Sequence, residues 1–270
     1  VVAGMSYQDQ NLFTQGATGE AFPSSAYKKL VSTGTKSDAT STETEFSFLS
    51  YFSRVNYKLM DKYLVALSGR FDASSRFSPN NRWGFFPAAS VGWIVSEENF
   101  LKDSKWLSFL KLKASYGLTG NAEIGNYPWQ GLWTGDAHYG SIPGQRPSQL
   151  PNPELKWETT ASFDLGLEFG ILNNRLSAEV DYYVRNTTDL LLAQEVPGTS
   201  GFASIIRNLG KLNNKGIEFT INSENIVTRD FRWTTNINFG LNKNEITDLN
   251  GQELGIGNIN RAREGQPIGV

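Results

Sequence analysis

The chain contains no cysteine and only one histidine among its 270 residues. Without thiols there is no disulfide framework, no thiolate nucleophile and no cysteine zinc site. The single histidine, His138, would need mainly carboxylate partners to hold zinc, a ligand set that zinc does not favour. We therefore expect no metal site and no cofactor. The net charge of −2 gives no electrostatic reason to expect nucleic acid as a partner.

Long hydrophobic runs are also missing from the chain. No run of about 18 apolar residues occurs, which excludes a transmembrane helix. A transmembrane barrel stays open as an interpretation, because each of its strands gives a much weaker signal. The sequence starts at Val1 without a signal-like segment and ends without an obvious domain terminus, so we expect a fragment of a longer protein.

Segments that alternate between apolar and polar residues fill the chain instead. Eight strand candidates have about 9–13 residues each, and a ninth lies at Val1–Tyr7. Strands of soluble proteins usually have about 5–6 residues, whereas strands that cross a bilayer need about 9–11. The eight candidates are residues 46–58, 62–72, 83–94, 109–118, 158–169, 175–184, 212–223 and 231–242. Their length favours membrane-spanning strands.

The connections between these strands alternate between short and long. Short links are predicted at 59–61, 170–174 and 224–230, and long polar stretches at 8–44, 73–82, 119–157 and 185–211. One link breaks this order: residues 95–108 read as a short helix with Ser96 as its N-cap. Short turns on one side and long loops on the other are typical of outer-membrane barrels, although a soluble up-and-down barrel can share the layout.

One side of the predicted strands carries no charge. The positions are 51–57, 63–71, 83–93, 161–169, 217–221 and 233–241 (odd numbers) and 110–118 and 176–182 (even numbers). None of these 37 positions, named here the charge-free face, is Asp, Glu, Lys or Arg. The opposite side, named the polar face, carries many charged residues. Alternation alone does not tell a lipid-facing surface from the core of a β-sandwich.

Aromatic placement separates the two interpretations. Trp83 and Trp93 share one face of one strand ten residues apart, which is about 33 Å along the strand and about 25 Å of height at a tilt near 40°. That height matches the apolar band of a barrel, which aromatic girdles flank. We predict five membrane-interface aromatics, Tyr57, Tyr63, Trp83, Trp93 and Trp233. Pro87 interrupts this pattern, and we expect a β-bulge there.

Several runs of the chain resemble a known family. They are YFSRVNYKLMDKYLVALSGRFDASSRF (51–77), FFPAASVGWIVSEENFL (85–101), LKLKASYGLTGN (110–121), NPELKWETTASFDLGLEFGILNNRLSAEVDYYVRNTTDLLL (152–192) and LNNKGIEFTIN (212–222). Together they are similar to the SusC/RagA class of TonB-dependent outer-membrane transporters of Bacteroidetes. We therefore interpret residues 1–270 as one partial barrel domain and the protein as a non-enzyme.

The resemblance implies a 22-stranded barrel in the outer membrane, closed by an N-terminal plug. It implies import of oligosaccharides or peptides, captured by a SusD-like surface lipoprotein and driven by the TonB–ExbB–ExbD system. The plug and the TonB-binding segment are missing from this sequence. Eight or nine strands of such a design cannot close, so this chain alone is not expected to transport anything.

Two groups of residues are candidates for substrate contact. The lumen group is Arg54, Arg70, Asp72 and Arg76, and the loop group is Tyr127, Trp129, Trp133 and Tyr139. Aromatic faces in loops suit stacking on sugar rings or packing against a partner protein. The alternatives are that the charges pair with one another inside the pore and that the loop folds on its own aromatics.

Two other functions stay open from the residues alone. A soluble extracellular β-sandwich that binds glycans as an adhesin would show the same alternation, with its charge-free face as a core. A β-rich glycoside hydrolase could use Glu179 and Asp181, which lie about 7 Å apart on one strand face. The simpler interpretation of that pair is two charges facing a polar lumen.

Overall fold

The computed structural model describes residues 1–256 and 260–269 and confirms an antiparallel all-β fold. The strands are β1 Val2–Glu20, β2 Thr35–Leu59, β3 Tyr63–Ser74, β4 Trp83–Ile94, β5 Leu107–Asn121, β6 Leu132–Tyr139, β7 Ile142–Gln149, β8 Glu158–Ile171, β9 Leu176–Thr188, β10 Leu191–Glu195, β11 Ser204–Asn208, β12 Lys211–Val227, β13 Arg232–Asp248, β14 Leu254–Ile256 and β15 Asn260–Ala262. Short 3-10 helices lie at Leu30–Ser32, Val95–Glu97 and Gly198–Ser200. Among the described residues, no helix is long and apolar enough to cross a membrane.

Nine long strands form a single sheet in the order β1-β2-β3-β4-β5-β8-β9-β12-β13. Every neighbouring pair in it is antiparallel. Within the described ranges the sheet is open, with β1 and β13 at its edges. Three hairpins, β6–β7, β10–β11 and β14–β15, lie outside it in the connections. The eight predicted strands and the ninth at the start of the chain are confirmed, and together they are the nine strands of this sheet.

The first predicted loop, residues 8–44, is mostly strand, so that prediction was wrong. Strands β1 and β2 pair from Val2 with Arg54 to Glu20 with Thr35. Their outer part is rich in Thr, Ser and Gln on both sides, so it has no hydrophobic period. β-Branched threonines nevertheless favour an extended backbone, and each strand satisfies the other's backbone hydrogen bonds. Because β3 pairs with β2 only as far as Phe48, this part projects as a two-stranded ribbon.

The other connections also differ from the prediction. The stretch 119–157 contains the β6–β7 hairpin, and 185–211 contains β10–β11. The predicted link 224–230 is shorter than expected, because β12 and β13 are paired as far as Val227 with Arg232. In each case polar residues continue a backbone ladder past the point where hydrophobic alternation ends.

The link after β4 is not the predicted helix with a Ser96 cap. Only Val95–Glu97 is helical, as a 3-10 turn, and its N-cap position is Ile94 without a side-chain cap. Isolated turns follow, in which the N–H groups of Leu101 and Lys102 both donate to the Glu98 carbonyl. The Glu98 side chain binds Tyr63 of β3 and Trp93 of β4, and it ties the link to the sheet.

Pro87 does not cause the expected bulge. It pairs with Gly69 in an unbroken β3–β4 ladder. The ladder between β4 and β5 begins at Ala88, directly after the proline. A missing proline N–H is tolerated where a ladder stops, so no extra residue is needed.

The two faces of the sheet have different surroundings. On the charge-free face large side chains stay exposed, among them Leu67 at 54%, Val91 at 56% and Phe239 at 57%. No second layer of the described residues packs on them. At the long-loop end of the polar face, Trp157 contacts the rings of Phe77 and Phe86 with centroids 5.4 and 5.3 Å apart. This small cluster is buried, so the protein core lies beside the loops and not on the charge-free face.

Candidate functional site

A network of charged side chains lies in the middle of the polar face, across β5, β8 and β9. Lys113 Nζ lies 3.0 Å from Asp181 Oδ1 and 3.5 Å from Glu168 Oε1, and it also binds the carboxylate of Glu179. Lys111 Nζ lies 2.9 Å from Glu168 Oε1. Residues two apart on one strand face the same side, so the register brings five charges together.

Gly166 makes this network possible. It lies on β8 between Lys113 of β5 and Asp181 of β9 in the same cross-strand row. A β-carbon added at Gly166 would collide with both of those side chains. The lysine therefore crosses a neighbouring strand over a bare backbone, a role that the sequence pattern did not reveal.

A groove of about 590 Å³ opens beside the network on the polar face. Its polar lining comes from Asn56, Lys58, Ser90, Lys111, Lys113, Ser115, Asp164 and Asp181. Ser115 Oγ donates to Asp164 Oδ2 at 3.3 Å. The lining offers both donors and acceptors, which suits a polar ligand bound through several hydrogen bonds.

The predicted lumen residues do not form one site. Arg70 Nε donates to both carboxylate oxygens of Asp72, at 2.7 and 2.8 Å, and its Nη2 donates to Ser50 Oγ at 2.7 Å. Asp72 and Ser50 are buried. Arg54 instead donates to Asn56 Oδ1 at 3.0 Å, beside the groove. Arg70 and Asp72 are thus satisfied by each other, as the alternative interpretation expected.

Arg76 lies apart from that group, within the loops. Its guanidinium stacks over the Phe46 ring at 4.2 Å, and it donates to Asn126 Oδ1 at 3.1 Å and to the Ala122 carbonyl at 3.0 Å. Two predicted loop aromatics are held nearby. The Tyr127 hydroxyl accepts from the Glu45 N–H at 2.9 Å, and Trp129 Nε1 donates to the Ser75 carbonyl at 3.2 Å. These contacts hold this part of the loop against β2 and the β3–β4 link.

The other two loop aromatics are free at the surface. Trp133 and Tyr139 lie on the β6–β7 hairpin and are 66% and 86% exposed. The hairpin is crossed by a bidentate pair in which Arg146 donates to Asp136 at 2.8 and 2.7 Å. These hydrogen bonds lower the pKa of Asp136. The structure therefore separates the loop group into a held half and an exposed half.

At the opposite rim, one carboxylate accepts three hydrogen bonds. Glu98 Oε1 receives the Tyr63 hydroxyl at 2.6 Å and Trp93 Nε1 at 3.1 Å, and Oε2 receives Lys62 Nζ at 2.6 Å. Hydrogen bonds from Lys62, Tyr63 and Trp93 lower the pKa of Glu98 to about 2. This role of Glu98 was not predicted from the sequence, although an acid five residues after the predicted interface aromatic Trp93 was a usable signal.

The five predicted interface aromatics all lie on the charge-free face. Tyr57, Trp83 and Trp233 are 60%, 50% and 53% exposed, whereas Tyr63 and Trp93 are 37% and 36% exposed beside Glu98. Tyr57, Tyr63 and Trp233 lie next to short turns and Trp93 next to the link after β4 at the same rim, whereas Trp83 lies at the other end of its strand. Among the described residues no group of three or more His, Cys, Asp and Glu side chains is placed to hold a metal ion.

Long antiparallel strands with one exposed, uncharged face and one charged face define the wall of a transmembrane β-barrel. Comparison with known families agrees with this class. The chain belongs to the family described as TonB dependent receptor-like, beta-barrel, whose profile matches residues 1–265. The predicted family, barrel fold and outer-membrane location are therefore confirmed.

Relatives make the assignment more specific. The chain is 43% identical to the TonB-dependent receptor SusC of Bacteroides thetaiotaomicron over 223 residues, which cover 79% of the chain and 22% of that protein. It is 38% identical to the TonB-dependent receptor P3 of Formosa agariphila over 265 residues, covering 95% of the chain and 26% of that protein. The chain thus spans about a quarter of these relatives' length.

Solved structures agree with this result. A structure of the RagAB peptide transporter superposes on this chain with a TM-score of 0.89 at 35% identity. The match covers 98% of this chain and 30% of the RagAB chain. A ferric enterobactin receptor, PfeA of Pseudomonas aeruginosa, shares the fold alone, with a TM-score of 0.53 at 16% identity. The soluble sandwich is not supported, because its core would be the face that here stays exposed.

Proposed function

We propose that the chain forms part of the wall of a SusC/RagA-type transporter that imports oligosaccharides or peptides through the outer membrane. One observation carries this proposal. Eight strands of the sheet keep a charge-free, largely exposed face on one side and charged side chains, several of them paired, on the other, and 98% of the chain superposes on RagAB. The family match and the identity to SusC support the same class.

The two faces have separate tasks in this proposal. The charge-free face is solvated by lipid tails, where an unpaired charge would be costly. The polar face lines the import path, and its central network sets Lys111 and Lys113 against Glu168, Glu179 and Asp181, which leaves a net charge of −1. So small a net charge lets neutral sugars and zwitterionic peptides pass without a deep electrostatic trap. No bond is made or broken on the substrate.

Candidate substrate contacts follow from exposure. Arg54, Lys58 and Asp164 border or lie near the groove, within reach of a polar solute. Trp133 and Tyr139 present free aromatic faces at the long-loop end, where a substrate or a SusD-like lipoprotein would arrive. Arg70, Asp72, Arg76, Tyr127 and Trp129 take supporting roles, because their polar groups already have partners.

The chain spans about a quarter of the length of its relatives, so the complete transporter is a proposal about a longer protein and its partners. We propose a plug within the closed barrel, a SusD-like surface lipoprotein as partner, and energy from the TonB–ExbB–ExbD system. RagAB is a peptide transporter, which supports peptides as a substrate class, and we propose oligosaccharides as the second class.

The test uses the full-length gene product. Cells are fractionated, and the outer-membrane fraction is run on a gel with and without boiling. We expect an outer-membrane band that migrates faster unboiled, as a closed barrel does. A soluble protein without such a shift would overturn the proposal. Growth on peptide or oligosaccharide as sole nutrient, with and without a TonB deletion, then identifies the substrate class.

A further inference from the structure

The link between β4 and β5 has a surface unlike that of the other short-turn links. Residues 95–106 are longer than the turns after β2, β8 and β12. Phe100 is 72% exposed and Trp106 is 62% exposed. Lys102, Asp103 and Lys105 are exposed between them. Two large aromatic side chains are costly to leave in water, and together with the two lysines that they flank they suit a lipid headgroup region.

The link is joined to the edge of the charge-free face. Tyr63 and Trp93 belong to that face, and both donate to the Glu98 carboxylate at 2.6 and 3.1 Å. The carboxylate therefore lies at the rim beside these two aromatic side chains. This contact holds the link next to the surface that the proposed function places against lipid.

The contacts of Glu98 also stabilise its carboxylate in this position. An ionised carboxylate near the bilayer loses hydration, and hydrogen-bond donors must replace it. Lys62 Nζ at 2.6 Å, the Tyr63 hydroxyl and Trp93 Nε1 supply three. The Glu98 side chain is only 14% exposed, so these donors replace most of its water. The other end of the link is held as well, since the Leu172 N–H donates to the Trp106 carbonyl at 3.1 Å.

We propose that residues 95–106 form an interfacial anchor that lies in the phospholipid headgroup layer at the short-turn rim. Phe100 and Trp106 enter the boundary between headgroups and acyl chains, and Lys102 and Lys105 bind lipid phosphates. Glu98 positions the anchor by joining it to Tyr63 and Trp93. The inference rests on the proposed function, because it requires the barrel to be in a bilayer.

Three single-cysteine variants test the anchor in the full-length protein, made cysteine-free outside the labelled position. This chain contributes no cysteine of its own. Phe100→Cys reports on the anchor, Val91→Cys on the charge-free face, and Asp61→Cys on a neighbouring turn in water. Asp61 is 89% exposed, which makes it the matched aqueous control. Each is labelled with an environment-sensitive dye in phosphatidylethanolamine–phosphatidylglycerol vesicles, then quenched by brominated phospholipid or by iodide.

The three positions give separable outcomes. We expect the Phe100 label to be quenched by brominated lipid and shielded from iodide, and the Asp61 label to behave in the opposite way. A Phe100 label as open to iodide as the Asp61 label overturns the anchor. A label shielded from both quenchers also overturns it, since protein would then cover the link. If the Val91 label is not quenched by lipid, the proposed function fails instead.

Discussion

The two faces of the sheet are made by the same strands but are stabilised in different ways. On the charge-free face Leu67 and Val91 have no protein layer above them, and lipid supplies their surroundings. On the polar face Lys113, Glu168 and Asp181 supply partners for one another. The comparison teaches that one face depends on having no charge at all, whereas the other depends on charges being matched across three strands.

The largest expected effect comes from putting a charge on the wrong face. Leu67→Arg places a cation near the middle of β3, on the charge-free face, and should destabilise the folded barrel by about 2–4 kcal/mol. Its neighbour Ala66 lies on the polar face beside the groove, so Ala66→Arg should change stability far less. Urea titration of the heat-modifiable band measures both. Equal losses for the two variants would mean that lipid does not face Leu67.

Removing the centre of the polar network should have the next largest effect. Lys113→Met leaves Glu179 and Asp181 without their cation, close to Glu168, which keeps Lys111 at 2.9 Å. Because these side chains are 27–43% exposed, we expect a loss of about 1–2 kcal/mol, below the cost for a fully buried pair.

Two variants check the cause of that loss. Adding Glu179→Gln to Lys113→Met should restore part of the stability by relieving repulsion among the carboxylates. Lys243→Met, which breaks an exposed pair with Glu245, should leave the unfolding midpoint unchanged. If Glu179→Gln does not restore any of the stability lost in Lys113→Met, the loss comes from packing of the lysine over Gly166 and not from charge.

The rim should respond to acid through Glu98. Its pKa is about 2 in the folded protein, below the usual value of 4.5. A lowered pKa means that Glu98 stabilises the fold fully above about pH 4.5 and that this contribution disappears as pH falls towards 2. The urea midpoint of the natural protein should therefore fall more than that of Glu98→Gln between pH 5 and pH 2.5 (chosen as about the window of this titration). If the urea midpoints of both proteins fell equally over this pH range, Glu98 would not stabilise the rim in this way.

The smallest effect on stability is expected where a side chain touches neither face. Trp133→Ala should leave the urea midpoint unchanged, because the ring is 66% exposed on the β6–β7 hairpin. It should weaken substrate capture by roughly 0.5–1.5 kcal/mol, the contribution of one stacked ring. Titration calorimetry with the transported nutrient measures this change, and Trp129→Ala, which removes a donor to Ser75, serves as the structural comparison.

Hydrophobic alternation predicted the sheet better than it predicted the loops. The charge-free positions on each strand could be identified because one unpaired charge in lipid is costly enough to remove charges from a whole face. The ribbon of β1 and β2 beyond Phe48 escaped prediction, since polar residues on both sides leave no period to detect. The β6–β7 hairpin escaped for the same reason.

The candidate site was predicted only in part. Arg70 and Asp72 were identified as lumen residues, but their mutual pairing follows from rotamers that spacing does not reveal. The five-charge network depends on the register between β5, β8 and β9, which brings together Lys111 and Asp181 from 70 residues apart in the chain. The groove also needs β2, β3 and β4, which supply part of its lining. Glu98 fell within the short helix predicted at 95–108, because its partners Lys62 and Tyr63 are distant in sequence.

The sequence by itself determined the strands, their two faces and the family, because alternation and local motifs are written along the chain. Tertiary structure alone decided which charges meet, where Gly166 lets Lys113 cross β8, and how Glu98 holds the link at the rim. The physical reason is that the energy of an ion pair depends on the distance between side chains of different strands. That distance is set only when the strands pair in one register.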